Sequence, residues 1–299
     1  MIAAPQMTNL RGNLLLDEPM SRHTSWRIGG PADRYYQPAD IDDLAHFLQQ
    51  LPEDEPVFWL GLGSNLLVRD GGIRGTVIAT SGVVKGLEST GEETIRAEAG
   101  VACAKVARFC ARAGLIGAEF LAGIPGTMGG ALAMNAGAFG GETWNVVSMV
   151  ETLDHRGQRH QRTPGEYEIG YRHVSGPAGD WFVAAELQLQ KGDVESGQAR
   201  IKELLAKRGA TQPTQQANAG SVFRNPENDF AARLIEACGL KGVCEGAACV
   251  SEKHANFIIN TGGATATEVE TLIERVATTV AEQQHVQLQR EVHIVGEAA

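Results

Sequence analysis

Gly61-Leu62-Gly63-Ser64-Asn65-Leu66 is the first of two glycine-rich runs that decide how this chain is interpreted. The second, Gly123-Ile124-Pro125-Gly126-Thr127-Met128-Gly129-Gly130, continues to Asn135-Ala136-Gly137. Glycine lets a backbone turn sharply and bring several N–H groups close to a ligand. That arrangement suits a phosphate, so two runs predict a diphosphate held from two sides, as a dinucleotide cofactor requires.

The segments beside the first run limit which kind of nucleotide loop it can be. The apolar segment 57–60 predicts a buried strand before the run, and 66–68 predicts another strand after it. A Rossmann fingerprint needs a third glycine where Leu66 stands and a helix directly afterwards. A P-loop needs a lysine that is also missing. Both of these motifs are therefore excluded.

The rest of the N-terminal half indicates a mixed α+β domain with many short strands. Asp40 is placed to cap a helix that runs to about Leu51. Further elements follow from hydrophobic periodicity: a strand over 94–98, a helix over 101–113, and strands over 146–153, 167–172 and 181–189.

Composition changes near Lys191, where we place the domain boundary. The first domain is then 1–191, with subdomains of about 1–82 and 83–191, and the second is 192–299. The second domain is predicted to contain helices over 193–208 and near 229–238, and a strand over 254–260. Thr265 and Glu268 form a capping box that starts another helix. The last strand, 292–295, is placed to pack back on the first domain.

Bulk properties exclude some classes of protein. The 299 residues are 43% hydrophobic and 21% charged, as in ordinary globular proteins. The net charge of −10 argues against a nucleic-acid binder. We see no targeting or membrane-spanning segment and expect a cytoplasmic protein. The five cysteines are interpreted as buried or surface thiols, because Cys244, Cys249 and His254 do not match a usual zinc spacing.

Several other segments now stand beside the glycine runs in a fixed order. They are Thr24-Ser25-Trp26-Arg27-Ile28-Gly29-Gly30-Pro31-Ala32-Asp33, Gly170-Tyr171-Arg172, Gly220-Ser221-Val222-Phe223-Arg224-Asn225-Pro226, Val250-Ser251-x-x-His254-Ala255-Asn256-Phe257-Ile258-Ile259-Asn260 and Glu291-Val292. Together, from about Ser21 to Gly296, the chain resembles the UDP-N-acetylenolpyruvoylglucosamine reductase family, also called UDP-N-acetylmuramate dehydrogenases.

The resemblance implies a fold, a reaction and a cofactor. The fold would be α+β, with a vanillyl-alcohol-oxidase or PCMH-type FAD-binding domain of two subdomains followed by an α+β substrate-binding domain. The reaction would be reduction of UDP-N-acetylglucosamine enolpyruvate to UDP-N-acetylmuramate, in peptidoglycan precursor synthesis. The family uses FAD as cofactor and NADPH as co-substrate. A flavin also fits the chemistry, because no side chain delivers a hydride. We further expect a monomer whose partners are the UDP-sugar and NADPH.

Three residues match the family's catalytic positions. Arg172 would stabilise the substrate carboxylate, where negative charge grows during the reaction. Ser221 would donate the proton. Glu291 would polarise the carboxylate or help move the proton. Taken without the resemblance, an arginine after a strand, a Gly-Ser turn and a glutamate at a strand start are each commonly structural or solvated.

The remaining candidate residues would bind ligands. We expect the first run at the FAD diphosphate and the second on its opposite side or along the flavin. Substrate contacts would come from Arg224, Asn225 and Arg208, with Lys207 equally available. The predicted FAD-binding residues are Gly61, Gly63, Ser64, Asn65, Leu66, Ile124, Pro125, Gly126, Thr127, Gly129, Gly130, Asn135 and Gly137.

Two other functions stay open at this point. The chain could be another FAD oxidoreductase of the same fold with a different substrate. It could also be a module that senses a sugar nucleotide, in which case the three catalytic candidates would be incidental.

Overall fold

The computed structural model describes residues 7–299. Within them lie six helices: α1 (Ile41–Leu48), α2 (Cys103–Arg112), α3 (Met128–Met134), α4 (Val194–Thr211), α5 (Ala231–Ala237) and α6 (Ala266–Gln284). The strands up to the second glycine run are β1 (Asn13–Pro19), β2 (Pro31–Gln37), β3 (Val57–Leu60), β4 (Leu66–Val68), β5 (Ile73–Ala79), β6 (Leu87–Ser89), β7 (Thr94–Glu98) and β8 (Leu115–Ile116). The later strands are β9 (Gly137–Ala138), β10 (Gly141–Glu142), β11 (Val147–Leu153), β12 (Arg159–Arg162), β13 (Glu168–Gly170), β14 (His173–Ser175), β15 (Trp181–Gln188), β16 (Gln190–Lys191), β17 (Ala217–Asn218), β18 (Cys244–Glu245), β19 (Ala248–Val250), β20 (Ile258–Asn260) and β21 (His293–Val295).

The chain forms two compact units, and both are discontinuous in sequence. Unit 1 comprises 7–15, Arg34–Leu62 and Gly75–Ala206, and unit 2 comprises Leu16–Asp33, Gly63–Arg74 and Lys207–Ala299. The sequence predicted one boundary near Lys191 instead. Long-range pairing explains the difference for 63–74, because β21 pairs in parallel with β4, a strand inside the predicted first domain.

Unit 1 is built on an antiparallel sheet with the strand order β12-β11-β15-β7-β6. Its main core lies between this sheet and α2. Cys103, Val106, Ala107 and Cys110 recur at helical spacing and are all buried. Burial raises the pKa of the Cys103 and Cys110 thiols to about 12, so both are inert core groups, as predicted.

A smaller core in unit 1 surrounds α1 and the parallel pair β3 and β5. Asp40 caps α1 by accepting from the Asp43 N–H at 2.9 Å, which confirms the predicted helix start. The helix ends at Leu48, three residues before the predicted end. The buried Asp43 carboxylate accepts from the Tyr36 hydroxyl at 2.5 Å, which ties the helix to β2.

Unit 2 contains an antiparallel sheet with the order β17-β20-β19-β18, packed with α5 and α6. The Thr265–Glu268 capping box at the start of α6 is present as predicted. Val269, Leu272 and Val276 form part of the buried face of that helix. The Trp26 indole donates to the Ile258 carbonyl at 2.7 Å, which fixes the 16–33 segment in this unit.

Two predicted strands differ from the structure. The 254–260 strand is extended only over Ile258–Asn260, because 254–257 closes a turn in which the Phe257 N–H bonds the His254 carbonyl. The 167–172 strand is a short β13 that ends before Arg172. The second glycine run also opens α3, a short helix that the sequence analysis did not predict.

Cys244 and Cys249 are joined by a disulfide, so the prediction of free thiols is wrong for this pair. The two residues face each other in the register of β18 and β19. Their spacing alone did not reveal this, because only the hairpin turn between them brings the sulfurs together. Across residues 7–299 no cluster of three or more metal-ligating side chains is found, and no helix there is long and apolar enough to span a membrane.

Candidate functional site

The unit boundary passes through the first glycine run, between Leu62 and Gly63. Gly63 has a φ of +64°, and a Cβ there would lie 2.3 Å from the His23 carbonyl oxygen. The Gly63 carbonyl accepts from the Ser25 N–H at 3.1 Å. Only glycine fits this close approach of two backbones, so the position is fixed within unit 2.

Asn65 joins the first run to the end of the chain. Its side-chain amide donates to the Glu291 carbonyl at 3.2 Å, and its own carbonyl accepts from the His293 N–H at 3.1 Å. The parallel register of β4 and β21 continues from this point, with Leu66 opposite His293. A predicted cofactor residue and a predicted catalytic residue are therefore neighbours in unit 2.

Ser221 lies beside the same loop. The preceding Gly220 has a φ of +75°, and its N–H donates to the Asn218 side-chain oxygen at 2.9 Å. A Cβ on Gly220 would lie 4.0 Å from the Ser64 carbonyl oxygen. The next residue, Val222, accepts from the Glu291 N–H at 2.8 Å. Unit 2 thus brings Ser221 together with Ser64 and Glu291.

The three predicted substrate-binding residues in unit 2 lie in three different local structures. The Arg224 N–H donates to the Gln289 carbonyl at 2.8 Å, next to the Glu291 segment. The Asn225 side-chain oxygen accepts from the Ala231 N–H at 3.1 Å, at the start of α5. Arg208 lies in the last turn of α4, where burial lowers the pKa of its guanidinium. Its Nε donates to the Gln212 side-chain oxygen at 3.2 Å, just past the end of the same helix.

In unit 1, Gly61 faces Thr127. A Cβ on Gly61 would lie 2.5 Å from Thr127 Oγ1. Thr127 is 2% exposed, and across residues 7–299 its hydroxyl has no hydrogen-bond partner. Buried hydroxyls are almost always paired. A ligand oxygen beside Gly61 would accept a hydrogen bond from the Thr127 hydroxyl. Gly61 and Thr127 therefore fit a phosphate group.

Other parts of the second run are engaged by the protein itself. The Met128 and Gly129 N–H groups donate to the Val101 and Ala99 carbonyls at 2.9 and 2.8 Å. A Cβ on Gly129 would lie 3.0 Å from the Ala99 Cβ. Gly129 therefore serves close packing of α3, and its predicted contact with FAD cannot use its N–H group.

Asn135 ends α3 in the left-handed conformation, with a φ of +44°. It is 1% exposed, and both its side-chain N–H groups are used: they donate to Glu142 Oε2 at 3.0 Å and to the Gly170 carbonyl at 3.2 Å. Its side-chain oxygen accepts from the Trp144 N–H at 3.1 Å. The amide thus links the second run to the β13–β14 hairpin.

That hairpin carries Arg172. Gly170 pairs with His173, so Arg172 lies in the connecting turn, with a φ of +55°. Such a φ is unfavourable for a side chain other than glycine and is found mostly at functional or turn positions. The guanidinium lies 5.1 Å from the Tyr171 ring centre and donates to the Gly137 carbonyl at 3.2 Å.

Two family models match this chain, one in each half. The FAD-binding-domain family model matches residues 32–161, and the model of the UDP-N-acetylenolpyruvoylglucosamine reductase C-terminal domain matches 212–295. The reductase of Methylococcus capsulatus is 62% identical over 288 residues, 96% of this chain and 95% of that protein. This chain belongs to the UDP-N-acetylenolpyruvoylglucosamine reductase family.

Other members of the reductase family agree in length and fold. The enzyme of that name from Legionella pneumophila strain Lens is 58% identical, over 99% of this chain and 97% of that protein. The crystal structure of the Thermus caldophilus reductase superposes with a TM-score of 0.82 at 34% identity, covering 96% of this chain and 99% of that one. The predicted α+β fold, the FAD cofactor and the assignment as an FAD-dependent oxidoreductase are thereby confirmed.

Sequence reasoning missed one residue beside the site. Asn256 lies within the quoted segment Val250 to Asn260 but received no role. Its contacts, described below, hold the chain next to Ser221. A polar amide inside the apolar run His254-Ala255-Asn256-Phe257-Ile258 was the available signal, because buried polar groups need partners.

Proposed function

We propose that this chain reduces the enolpyruvyl ether of UDP-N-acetylglucosamine to the lactyl ether of UDP-N-acetylmuramate, with NADPH as electron donor, in peptidoglycan precursor synthesis. One observation carries the proposal beyond family membership. In unit 2, the Asn65 amide bonds the Glu291 carbonyl, and the Glu291 N–H bonds the carbonyl of Val222, next to Ser221. A cofactor loop and two catalytic candidates thus share one hydrogen-bonded neighbourhood.

FAD would be held by the two glycine runs, with the Thr127 hydroxyl donating to a diphosphate oxygen. Hydride chemistry comes from FAD when it is bound, because no amino-acid side chain can deliver a hydride. The described residues supply what remains: positioning of the substrate, stabilisation of charge and transfer of one proton.

Arg172 would bind the substrate carboxylate. Addition of hydride to the terminal carbon of the enol ether puts negative charge on the adjacent carbon and the carboxylate. A planar, permanently charged guanidinium suits this group, because its two parallel N–H donors match the carboxylate geometry. The tight turn and the Tyr171 ring limit the orientations of the arginine, which favours electrostatic stabilisation of the developing charge.

Ser221 would donate the proton to the carbon next to the carboxylate. A hydroxyl is a weak acid, but it can protonate a strongly basic carbanion when it is held within reach. Glu291 would polarise the carboxylate or relay the proton. The Glu291 N–H fixes the backbone beside Ser221, which supports a shared role for the two residues.

Arg224, Asn225 and Arg208 are proposed to contact the UDP-sugar, with Arg224 and Arg208 facing its diphosphate. The proposed location is the cytoplasm, and the proposed assembly is a monomer without nucleic-acid partners. The earlier division into a FAD-binding domain, 1–191, and a substrate-binding domain, 192–299, is kept as a functional proposal. It differs from the two compact units.

The visible absorption spectrum of the purified protein tests this proposal. We expect a flavin spectrum that NADPH bleaches and that enolpyruvyl-UDP-N-acetylglucosamine restores. Absence of flavin absorbance, even after FAD is added, would contradict the proposal. Reoxidation by other acceptors but not by this substrate would indicate a different FAD oxidoreductase. Tight UDP-sugar binding without NADPH consumption would indicate a binding module.

A further inference from the structure

Asn256 has a buried side-chain amide that bonds the backbone of Phe223 as a neighbouring strand would. It is 3% exposed. Its Nδ2 donates to the Phe223 carbonyl at 2.8 Å, and its Oδ1 accepts from the Phe223 N–H at 3.0 Å. Its backbone carbonyl also accepts from the Val222 N–H at 2.9 Å. One residue therefore satisfies three backbone groups of Val222 and Phe223, in the chain that follows Ser221.

The opposite edge of the same segment is paired with the end of the chain. The Val222 carbonyl accepts from the Glu291 N–H at 2.8 Å, and the Arg224 N–H donates to the Gln289 carbonyl at 2.8 Å. Val222 and Phe223 are both buried, so water cannot replace a lost partner there. The segment 222–224, which directly follows Ser221, is thus fixed from two sides.

The turn before β20 holds Asn256 in place. Its own N–H donates to His254 Nδ1 at 3.3 Å, and the Phe257 N–H donates to the His254 carbonyl at 3.0 Å. The Ser251 N–H donates to the Phe257 carbonyl at 2.8 Å. The His254 and Phe257 rings meet edge to face with centroids 4.7 Å apart. A side chain mounted on such a braced turn can set the position of the chain it bonds.

We propose that Asn256 is a positioning residue that fixes the register of the Ser221 segment and so aims the Ser221 hydroxyl. The inference rests on the proposed role of Ser221 as proton donor. An amide offers a donor and an acceptor side by side, which here match the C=O and the N–H of Phe223. An aspartate keeps the acceptor for the Phe223 N–H but loses the donor to the Phe223 carbonyl, and it places a charge against that carbonyl oxygen.

The test uses holoenzyme reduced with NADPH and then mixed with enolpyruvyl-UDP-N-acetylglucosamine. Asn256→Asp should slow flavin reoxidation by about 10²-fold, the size expected for a misplacement of about 1 Å. Flavin reduction by NADPH should stay within about twofold of wild type, because no proton from Ser221 is used in that half-reaction. The solvent deuterium isotope effect on reoxidation should rise as proton transfer becomes slower.

Asn260→Asp is the matched control. The Asn260 amide donates to the Trp26 carbonyl at 2.9 Å and accepts from two loop N–H groups, so the same change removes a structural donor four residues further along the chain. This variant should lose stability but reoxidise at a rate near wild type. Asn256→Ser is made alongside, because a smaller side chain leaves room for a water and keeps a foldable variant available. A slowing of about tenfold is expected for it.

The inference is overturned if both Asn256 variants reoxidise within about twofold of wild type, or if Asn260→Asp slows reoxidation as much as they do. Equal loss in both half-reactions would overturn it too, since that is the signature of general damage. Ser221→Ala separates this failure from failure of the proposed function. If Ser221→Ala blocks reoxidation while the Asn256 variants do not, only the positioning role is wrong.

Discussion

Arg172 and Ser221 lie in two different kinds of local structure: a short hairpin turn and the start of a segment paired on both edges. Arg172 lies in the turn of a two-stranded hairpin, with a φ of +55°, and its guanidinium contacts the Tyr171 ring and the Gly137 carbonyl. Ser221 begins a segment whose next two residues are buried and paired on both edges. The arginine is held in a left-handed turn between two short paired strands, whereas the chain that follows the serine is hydrogen-bonded on both edges to residues far along the sequence.

A buried asparagine nevertheless braces each piece. Asn135 bonds the Gly170 carbonyl across 35 positions of sequence, and Asn256 bonds Phe223 across 33. In both cases the side-chain amide bonds the backbone of a segment next to the reactive residue. This similarity predicts that loss of either amide acts on catalysis through position and leaves the chemical group itself intact.

Arg172→Gly should have the largest effect in unit 1, because it removes the guanidinium and relieves the left-handed turn at once. We expect kcat/KM to fall by about 10²- to 10³-fold, the usual cost of losing a group that stabilises developing charge. The free energy of unfolding should be about 1 kcal/mol higher for Arg172→Gly than for Arg172→Ala, since a Cβ is unfavourable at positive φ. Steady-state kinetics and thermal unfolding of both variants measure the two effects.

Arg172→Ala is therefore the control, because it loses the same charge but keeps the strained Cβ. Equal stability of the two variants would show that the turn stores no strain. Near wild-type activity of either variant would remove Arg172 from the mechanism.

Asn135→Ala should come next in size, with a cost of about 1–3 kcal/mol in unfolding free energy. The cost arises because the buried Trp144 N–H and the Gly170 carbonyl lose their partner. Asn135→Gly tolerates the left-handed φ and so separates loss of the amide from backbone strain. We expect a lower kcat in both variants, measured in the presence of saturating FAD.

The same pair of variants decides what Asn135 does. The contacts of its amide favour a brace for the Arg172 hairpin, while the sequence analysis predicted a FAD contact. A large loss of FAD affinity with unchanged kcat would favour the cofactor contact and contradict the brace.

Thr127→Val should have the smallest effect, on cofactor binding alone. Loss of one hydrogen bond of about 0.5–1.5 kcal/mol predicts FAD affinity weaker by about two- to tenfold. The apoprotein should be as stable or more stable, because an unpaired buried hydroxyl is removed.

Thr143→Val is the control. Thr143 is equally buried, but its hydroxyl donates to the Ala136 carbonyl at 2.7 Å, so loss of that hydrogen bond should destabilise the protein. Titration of apoprotein with FAD measures the affinity, and an unchanged value for Thr127→Val would argue against a diphosphate contact.

Most of the features that the sequence predicted correctly are those set by residues close together in the chain. Local chemistry predicted the Asp40 cap, the Thr265 capping box and the strands on each side of the first glycine run. Gly63 has a positive φ, and a glycine in a short loop between two strands already indicates such a backbone conformation. Features set by neighbouring residues were therefore predictable.

Features set by distant residues were predictable only in part. The sequence analysis expected the last strand to pack on the first domain, but not that its partner is β4 or that this pairing makes the units discontinuous. The hairpin register that joins Cys244 to Cys249 was not predicted. The role of Asn256 depends on a partner far away in sequence, and the motif that contains it shows only that an amide lies among apolar residues. No local pattern encodes which distant backbone such a group will meet.

The most direct test of the central claim is a double-mixing measurement on Ser221→Ala holoenzyme. Flavin is first reduced with NADPH and then mixed with enolpyruvyl-UDP-N-acetylglucosamine, and flavin absorbance is followed in both steps. The account predicts normal reduction by NADPH and reoxidation slower by about 10²- to 10⁴-fold, the contribution of general acid catalysis. Reoxidation at a near wild-type rate would contradict the assignment of Ser221 as the proton donor.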